Sequence, residues 1–434
     1  MRNITLSIIY TAGILLLFSC SGGTNSGGKS VIDIESTVGK GAVYNASEFI
    51  KSIKYVPLET TPNSMVGNII DIIVNNNKIY VRDDENVIKI FDLNGRYLHT
   101  FDRQGRGPEE YTSFIDFEMT PDGHIYIASM NEGIVEYGPD LKFIRKITPD
   151  KGQDAGFIDL IIVKKGVFAS NIFSFNINIG LKTLWKIYDD SLNTLFLLND
   201  EPIPIQLPGS GSGEVRAVGT TSRMNHHQSY MFNNDFIMFN PENDTIFNID
   251  YENNYLKSDR YIINYGKYRY SEKIESGSEI EAISLNSLIE ADNYLYLAFD
   301  FRKLAPEPFE RETSMNRAFS SSNASSGSAT TTTTISIGAG GGGGTNTTVN
   351  AIYNKRSGEL SLLNQPIPRT LGLKNNINNG ATFWPKSITE KQELISWHNA
   401  LDLITLAEEG KIDQSIVANL KEDDNPVVVI AVPK

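Results

Sequence analysis

Between Ile79 and Ile147 one pattern of apolar and polar positions occurs twice in the same order. Ile79-Tyr80-Val81 is matched by Ile125-Tyr126-Ile127, and Ile88-Lys89-Ile90-Phe91 by Ile134-Val135-Glu136-Tyr137. Tyr97-Leu98-His99-Thr100-Phe101 is matched in turn by Phe143-Ile144-Arg145-Lys146-Ile147. Turn signals separate these runs (Asn94-Gly95, Pro121-Asp122-Gly123, Pro139-Asp140), so each unit reads as several short strands joined tightly. Self-similarity at roughly 40–50 residues, with several strands per unit, is the mark of a propeller array. A single sheet of this kind cannot cover both of its apolar faces, so its neighbours must stack on it.

The pattern extends along most of the chain. The first unit covers about Asn68–Phe101 and the second about Phe114–Ile147. A third runs from Ile158 to Leu198, and a fourth contains Tyr230-Met231-Phe232, Phe236–Phe239 and Thr245–Ile249. A fifth is expected to begin near Ile262 and to include Ile280–Leu288 and Tyr294–Phe299. The Ser-, Thr- and Gly-rich stretch 317–350 interrupts it and reads as a disordered insertion, because such residues cannot offset ordering entropy by burial. In the last unit, Ala400, Leu403, Ile404 and Ala407 recur at helical spacing with Gly410 as the cap, and a second short helix is expected over Ile412–Leu420. Val427–Val432 is a closing strand. Phe49–Glu59 alternates up to Pro57, as an edge strand does, and is expected to share a blade with it. An open ring would leave unpaired edges. At roughly 46 residues per blade, six blades need about 280 residues, which residues 31–434 supply; seven would be tight. The fold class expected is all-β, a six-bladed propeller with short helices inserted in the last blade.

Composition adds two restrictions. The formal net charge of −13 is spread without a basic stripe, which excludes nucleic acid as a partner. The single cysteine, Cys20, closes an N-terminal segment made of Arg2, an apolar run ending Gly13–Phe18, and Ser19, which reads as a secretory signal peptide over residues 1–19. The run is short for a spanning helix of about 20 residues. Leu17-Phe18-Ser19-Cys20 resembles a bacterial lipobox, which implies cleavage before Cys20 and a lipid anchor on it. More than one acyl chain would then hold the protein at a membrane. Residues 20–30 are Gly- and Ser-rich and read as a flexible tether.

Phe91-Asp92-Leu93-Asn94-Gly95, Gly105-Arg106-Gly107-Pro108-Glu109-Glu110-Tyr111 and Gly123-His124-Ile125-Tyr126-Ile127-Ala128 resemble an NHL-type repeat. With Ile53–Glu59, Gly380-Ala381-Thr382-Phe383-Trp384-Pro385 and Leu420–Pro426, the chain from Cys20 onward resembles the six-bladed β-propeller lipoproteins of Bacteroides and relatives, a family of undefined function. The resemblance implies a fold and an outer-membrane location, with no catalytic residues to carry over. Surface-exported lipoproteins of such bacteria tend to carry acidic residues after the cysteine. None occurs here before Asp33, which favours the periplasmic side. Asp190-Ser191-Leu192 and Asp244-Thr245-Ile246 resemble O-glycosylation sites of exported proteins, at Ser191 and Thr245.

Candidate ligand-binding residues are few. In the loop 105–111 two glycines permit close approach of the backbone, and Arg103 and Arg106 can fork onto a carboxylate or phosphate beside Glu109 and Tyr111. The competing reading gives the glycines a geometric role between blades and packs Tyr111 between sheets. His226-His227 is the only histidine pair, but neighbours on a strand point to opposite faces, so no metal site is expected. Trp384 could present a platform to a sugar ring or fill a blade corner. No cofactor is called for. The function expected is binding or scaffolding of a glycan, peptide or envelope protein at one propeller face. The alternatives are a polysaccharide lyase or hydrolase at the channel mouth, and a structural subunit of an envelope complex.

Overall fold

The computed structural model describes residues 30–129, 132–148, 157–176, 180–199, 228–240, 243–250, 255–269, 281–310 and 345–434. Six sheets of four antiparallel strands follow one another around a closed ring, a six-bladed β-propeller. Blade 1 consists of Ile69–Asn75, Lys78–Asp83, Ile88–Asp92 and Tyr97–Phe101, from the axis outward. Blade 2 holds Asp116–Met119, Ile125–Ser129, Gly133–Tyr137 and Phe143–Ile147. Blade 3 holds Ile161–Lys164, Val167–Asn176, Gly180–Asp189 and Thr194–Asn199. Blade 4 holds Gln228–Phe232, Asp235–Phe239, Thr245–Asp250 and Tyr255–Asn264. Ile262 therefore closes the fourth blade, and the fifth starts only at Ser284; the apolar run at 261–263 reads alike in either unit, and only strand pairing assigns it. Blade 5 holds Ser284–Glu290, Tyr294–Asp300, Thr348–Asn354 and Leu360–Leu362.

Blade 6 shuts the ring. Its inner three strands are Ser387–Ile388, Leu394–His398 and Val427–Pro433, and its outermost is Ile50–Pro57 from the other end of the chain. The pairing runs from Ile50 opposite Pro433 to Pro57 opposite Val427, as the edge-strand pattern predicted. Each junction between blades has its own apolar cluster. Ile72, Phe91 and Val428 join blades 1 and 6, Phe101, Phe117 and Tyr137 join 1 and 2, and Trp185 stacks on Phe236 between 3 and 4 at 5.5 Å. The ring thus answers the covering problem posed by a lone sheet.

The segment before Ile50 forms a strap around half of the rim. Ser30–Asp33 adds to the outer edge of blade 4 as a fifth strand, parallel to Tyr261–Asn264. Ala42 then exchanges hydrogen bonds with Leu362 and Asn364 beside blade 5, and Tyr44 and Ala46 bond Lys374 before the chain enters blade 6. Ile32 and Ile34 are completely buried against the cluster joining blades 4 and 5.

The helix expected in blade 6 is present as Ala400–Glu408, with Leu403 and Ala407 inward and Gly410 at φ +68° after its end. The second helix shrinks to one 3-10 turn, Gln414–Ile416, capped by the Asp413 side chain. Ile412 is buried there with Leu403, Ala407 and Val427, and Ile416, Val417 and Leu420 pack against the same cluster. Of the expected insertion 317–350, residues 345–346 and 348–350 lie in strands; 317–344 fall outside the described residues.

Candidate functional site

Antiparallel alternation sends the hairpins between first and second, and third and fourth, strands to one face of the ring. All of these are five residues or shorter, with 120–124, 138–142, 355–359 and 389–393 the longest. Asn76-Asn77 and Asn233-Asn234 make two-residue turns with both residues at positive φ, the geometry that matches strand twist. The opposite face carries the connections between blades and the stretches 301–347 and 399–426. It is a loop face on a rigid frame, the usual place for function.

The innermost strands of blades 1, 2, 3 and 4 approach one another in sequence, so their first residues border the loop-face mouth of the channel. Here Ile-Asp-apolar occurs three times, as Ile70-Asp71-Ile72, Ile115-Asp116-Phe117 and Ile158-Asp159-Leu160. The ring places these carboxyls side by side. Phe117 and Met119 point into the cluster between blades 1 and 2, which turns Asp116 and Glu118 toward blade 3. Asp116 accepts from the amides of Phe117 at 2.9 Å and Leu160 at 2.9 Å. Asp159 accepts from the backbone and side-chain amides of Asn171. Asp71 accepts the amide of Ile72 and Glu118 that of Met119, with no side-chain donor for either among the described residues. Arg82, 6% exposed, lies over the Phe114 ring, donates to the Phe114 carbonyl at 2.7 Å and stands 3.7 Å from Asp116. Its Nε has no acceptor among the described residues.

Crowding of like charge in an enclosed place shifts these groups upward. Burial, then the charge of Asp71, pushes Asp116 up to about 7 against the pull of Arg82. Burial pushes Asp159 up to about 6 despite its hydrogen bonds from Asn171. Glu118 rises well above the ordinary range through burial and the neighbouring Asp116 and Asp71, and Asp71 rises through burial. Blade 6 contributes the opposite sign. The Lys386 ammonium stands 3.9 Å from the Trp397 ring centroid, and burial brings it down to about 8. Burial and the Lys386 charge bring His398 down to about 4, so its ring is neutral at pH 7.

The residues expected from the sequence fall differently. Arg103, Arg106 and Glu109 are exposed on the loop face. Tyr111 is fully buried between blades 1 and 2, edge-on to Phe114 at 5.3 Å, so it packs and does not face a ligand. The two glycines cradle the loop's own anion: Glu110 accepts the Gly107 amide at 2.7 Å, and a Cβ on Gly105 would run into that carboxylate. Trp384 is half-buried and edge-on to Tyr296 at 5.8 Å, a corner between blades 5 and 6. Ser191 is exposed in a turn, while Thr245 opens a strand and bonds Asp244. Cys20, His226 and His227 lie outside the described residues. Among the described residues no three His, Cys, Asp or Glu side chains gather around a common metal position. A cavity of about 110 Å³ lies away from the channel, between Gly39–Gly41 of the strap and Phe301, Leu304, Val349 and Leu362 of blade 5.

A closed ring of six four-stranded sheets places the chain among six-bladed β-propellers. The particular family follows from the sequence: residues 29–432 match the model described as Domain of unknown function (DUF4934), and the chain belongs to that family. No curated protein matches it. Among solved structures, the "Putative exported protein (BF0058)" from Bacteroides fragilis NCTC 9343 is similar, with 13% identity and a TM-score of 0.58, over 93% of this chain and 99% of that one. A member of the duf4221 family from Bacteroides vulgatus atcc 8482 has 10% identity and a TM-score of 0.46, over 89% and 97%. At such identity the likeness to the Bacteroides fragilis structure is one of fold alone.

Proposed function

We propose that the chain is an exported outer-membrane lipoprotein, anchored through Cys20 on the periplasmic side, whose loop face binds a glycan, peptide or envelope protein at the channel mouth. The observation that carries the binding role is the asymmetry of the ring. Short turns close one face, and the other gathers the long connections together with Asp71, Asp116, Glu118, Asp159, Arg82 and Lys386. The anchor rests on the resemblance of Leu17–Cys20 to a lipobox, and the word "exported" in the name of a structural relative supports it.

Two measurements test the parts separately. Fractionation of cells expressing the wild type and Cys20→Ser, with the mass of the mature N-terminus, tests the anchor: the variant is expected to leave the membrane fraction. Glycan and peptide arrays probed with the chain from Ser30 onward test the binding. Loss of signal in Asp116→Asn/Lys386→Met, with retention in the turn-face change Arg356→Ala, is the expected result. Signal indifferent to both changes would place recognition elsewhere.

A hydrolytic reading has one observation of its own. Asp116 near 7 and Asp159 near 6 lie in the range where a carboxyl serves as general acid at neutral pH. Release of reducing ends from oligosaccharides, abolished in Asp116→Asn, is its test.

A further inference from the structure

We propose that the loop-face channel mouth recognises a ligand bearing both charges, a short peptide with free termini. Its ammonium would lie against the carboxyls of blades 1–3 and its carboxylate at Lys386 of blade 6. The inference rests on the loop-face binding role and names the ligand chemistry.

The mouth is not simply acidic. On one side Asp71, Asp116, Glu118 and Asp159 stand together with Arg82 beside Asp116 and Asp71, and among the described residues Asp71 and Glu118 accept only the amide of the following residue. Each carboxylate oxygen can accept more than one hydrogen bond, so acceptor capacity stays open there. The Arg82 Nε–H, in a side chain 7% exposed, has no acceptor among the described residues, an unmet donor beside those open acceptors. Lys386 sits on blade 6, which the ring places next to blade 1. Among the described residues no carboxylate stands within ion-pair distance of it; its neighbours are the Trp397 ring, the Trp397 carbonyl at 3.4 Å and His398. The Lys386 ammonium and the carboxyls of blades 1–3 are thus held at one mouth without pairing to each other among the described residues.

That separation selects among ligands. A purely cationic ligand would satisfy the carboxyls and be repelled by Lys386. A purely anionic one would find Lys386 and be repelled by those of the carboxyls that are ionised. A peptide with both ends free offsets both sets, and its zero net charge makes it indifferent to the overall −13 of the chain. A neutral glycan would find hydrogen bonds but no gain from the two signs. Protonation bears on the same point. Asp116, facing Asp71, Glu118, Asp159 and Arg82, gains its charge as pH rises through about 7, while Lys386, facing His398, loses its own above about 8.

Calorimetric titration of the chain from Ser30 onward with Ala-Ala-Ala, its N-acetylated form, its C-amidated form and the doubly blocked form tests the proposal. Blocking either end is expected to weaken binding about ten-fold, about 1.4 kcal/mol. Lys386→Met should abolish the effect of amidation alone. Asp116→Asn/Glu118→Gln should abolish that of acetylation alone; both sets are near-isosteric, and circular dichroism verifies folding. Equal affinity for free and blocked peptides overturns the inference. So does loop-face binding confined to glycans, which leaves the binding role standing. Failure of every arrayed glycan and peptide to bind removes both.

Discussion

Glu290 ends the innermost strand of blade 5, and its carboxylate is completely buried. It accepts from Arg260 Nη2 at 2.8 Å, Lys355 Nζ at 2.7 Å and Tyr261 at 3.2 Å on one oxygen, and from Tyr230 at 2.8 Å and Arg260 Nε at 3.1 Å on the other. Three of these donor residues belong to blade 4, so one anion staples two blades. Glu290→Gln keeps the shape and removes the charge. Among the described residues Lys355 would then keep the Ala291 carbonyl and the Phe232 ring but no counter-charge, and Arg260 would keep Asp235 and Asn248. Adding five charge-assisted bonds would overstate the loss, because the native pair already bears its desolvation. The relevant quantity is the cost of orphaning buried charge, about 3–5 kcal/mol. The half-exposed Arg145–Asp190 pair sets the contrast: Asp190→Asn should cost less than about 1 kcal/mol.

Urea unfolding at pH 7.5, followed by tryptophan fluorescence and far-ultraviolet dichroism, measures both; coincident transitions would license a two-state treatment. Lys355→Met in the Glu290→Gln background should recover part of the loss, since it removes the orphaned ammonium. A Glu290→Gln variant within about 1 kcal/mol of wild type would refute the reasoning. The pH dependence has a definite sign. Burial pushes the Glu290 carboxyl up, but Arg260 and Lys355 outweigh it and hold it below the ordinary range. Between the two values the unfolded chain binds more protons, so this contribution is present above the ordinary glutamate range. It is lost as pH falls through the native value, and the gap between wild type and variant should close in acid.

Three further outcomes follow from other parts of the ring. Gly133 stands at φ +102°, and a Cβ there would run into the Ile147 carbonyl; Gly133→Ala should cost about 2 kcal/mol or more in urea unfolding. Ile32→Ala should cost about 2 kcal/mol, near the low end for buried isoleucine because a four-residue strand can detach locally, with protease cleavage near residue 34 accelerated. Asp116 has its native value raised to about 7, so between the unfolded value and about 7 the native state binds more protons and stability falls as pH rises. Asp116→Asn should therefore gain most on wild type at pH 8 and least at pH 4.5, read as denaturation midpoints.

Strands and turns were legible because both are local. Period-two alternation marks a strand wherever it lies, and Asn94-Gly95 and Pro121-Asp122-Gly123 supply glycines that adopt positive φ, +84° and +91°. Closure by Ile50–Pro57 on Val427–Pro433 was also legible, since a ring leaves few places for an edge strand to go. The parallel addition of Ser30–Asp33 to blade 4 was not, because that edge exists only once the blade is assembled. The same holds for the loop 105–111, where local composition pointed outward to a ligand while the fold turned Glu110 inward and buried Tyr111. The channel mouth had a signal that local reading passes over: Ile-Asp-apolar at residues 70–72, 115–117 and 158–160, in step with the blades. Lys386 and His398 had none, since their neighbours in the ring are far away along the chain. By itself the sequence determined how many blades there are and where their strands lie, though not to which blade the run at 261–263 belongs, because strand formation follows from short-range periodicity. Only the tertiary structure decided which charges meet at the axis, because that depends on where rotation about the ring carries residues from different blades.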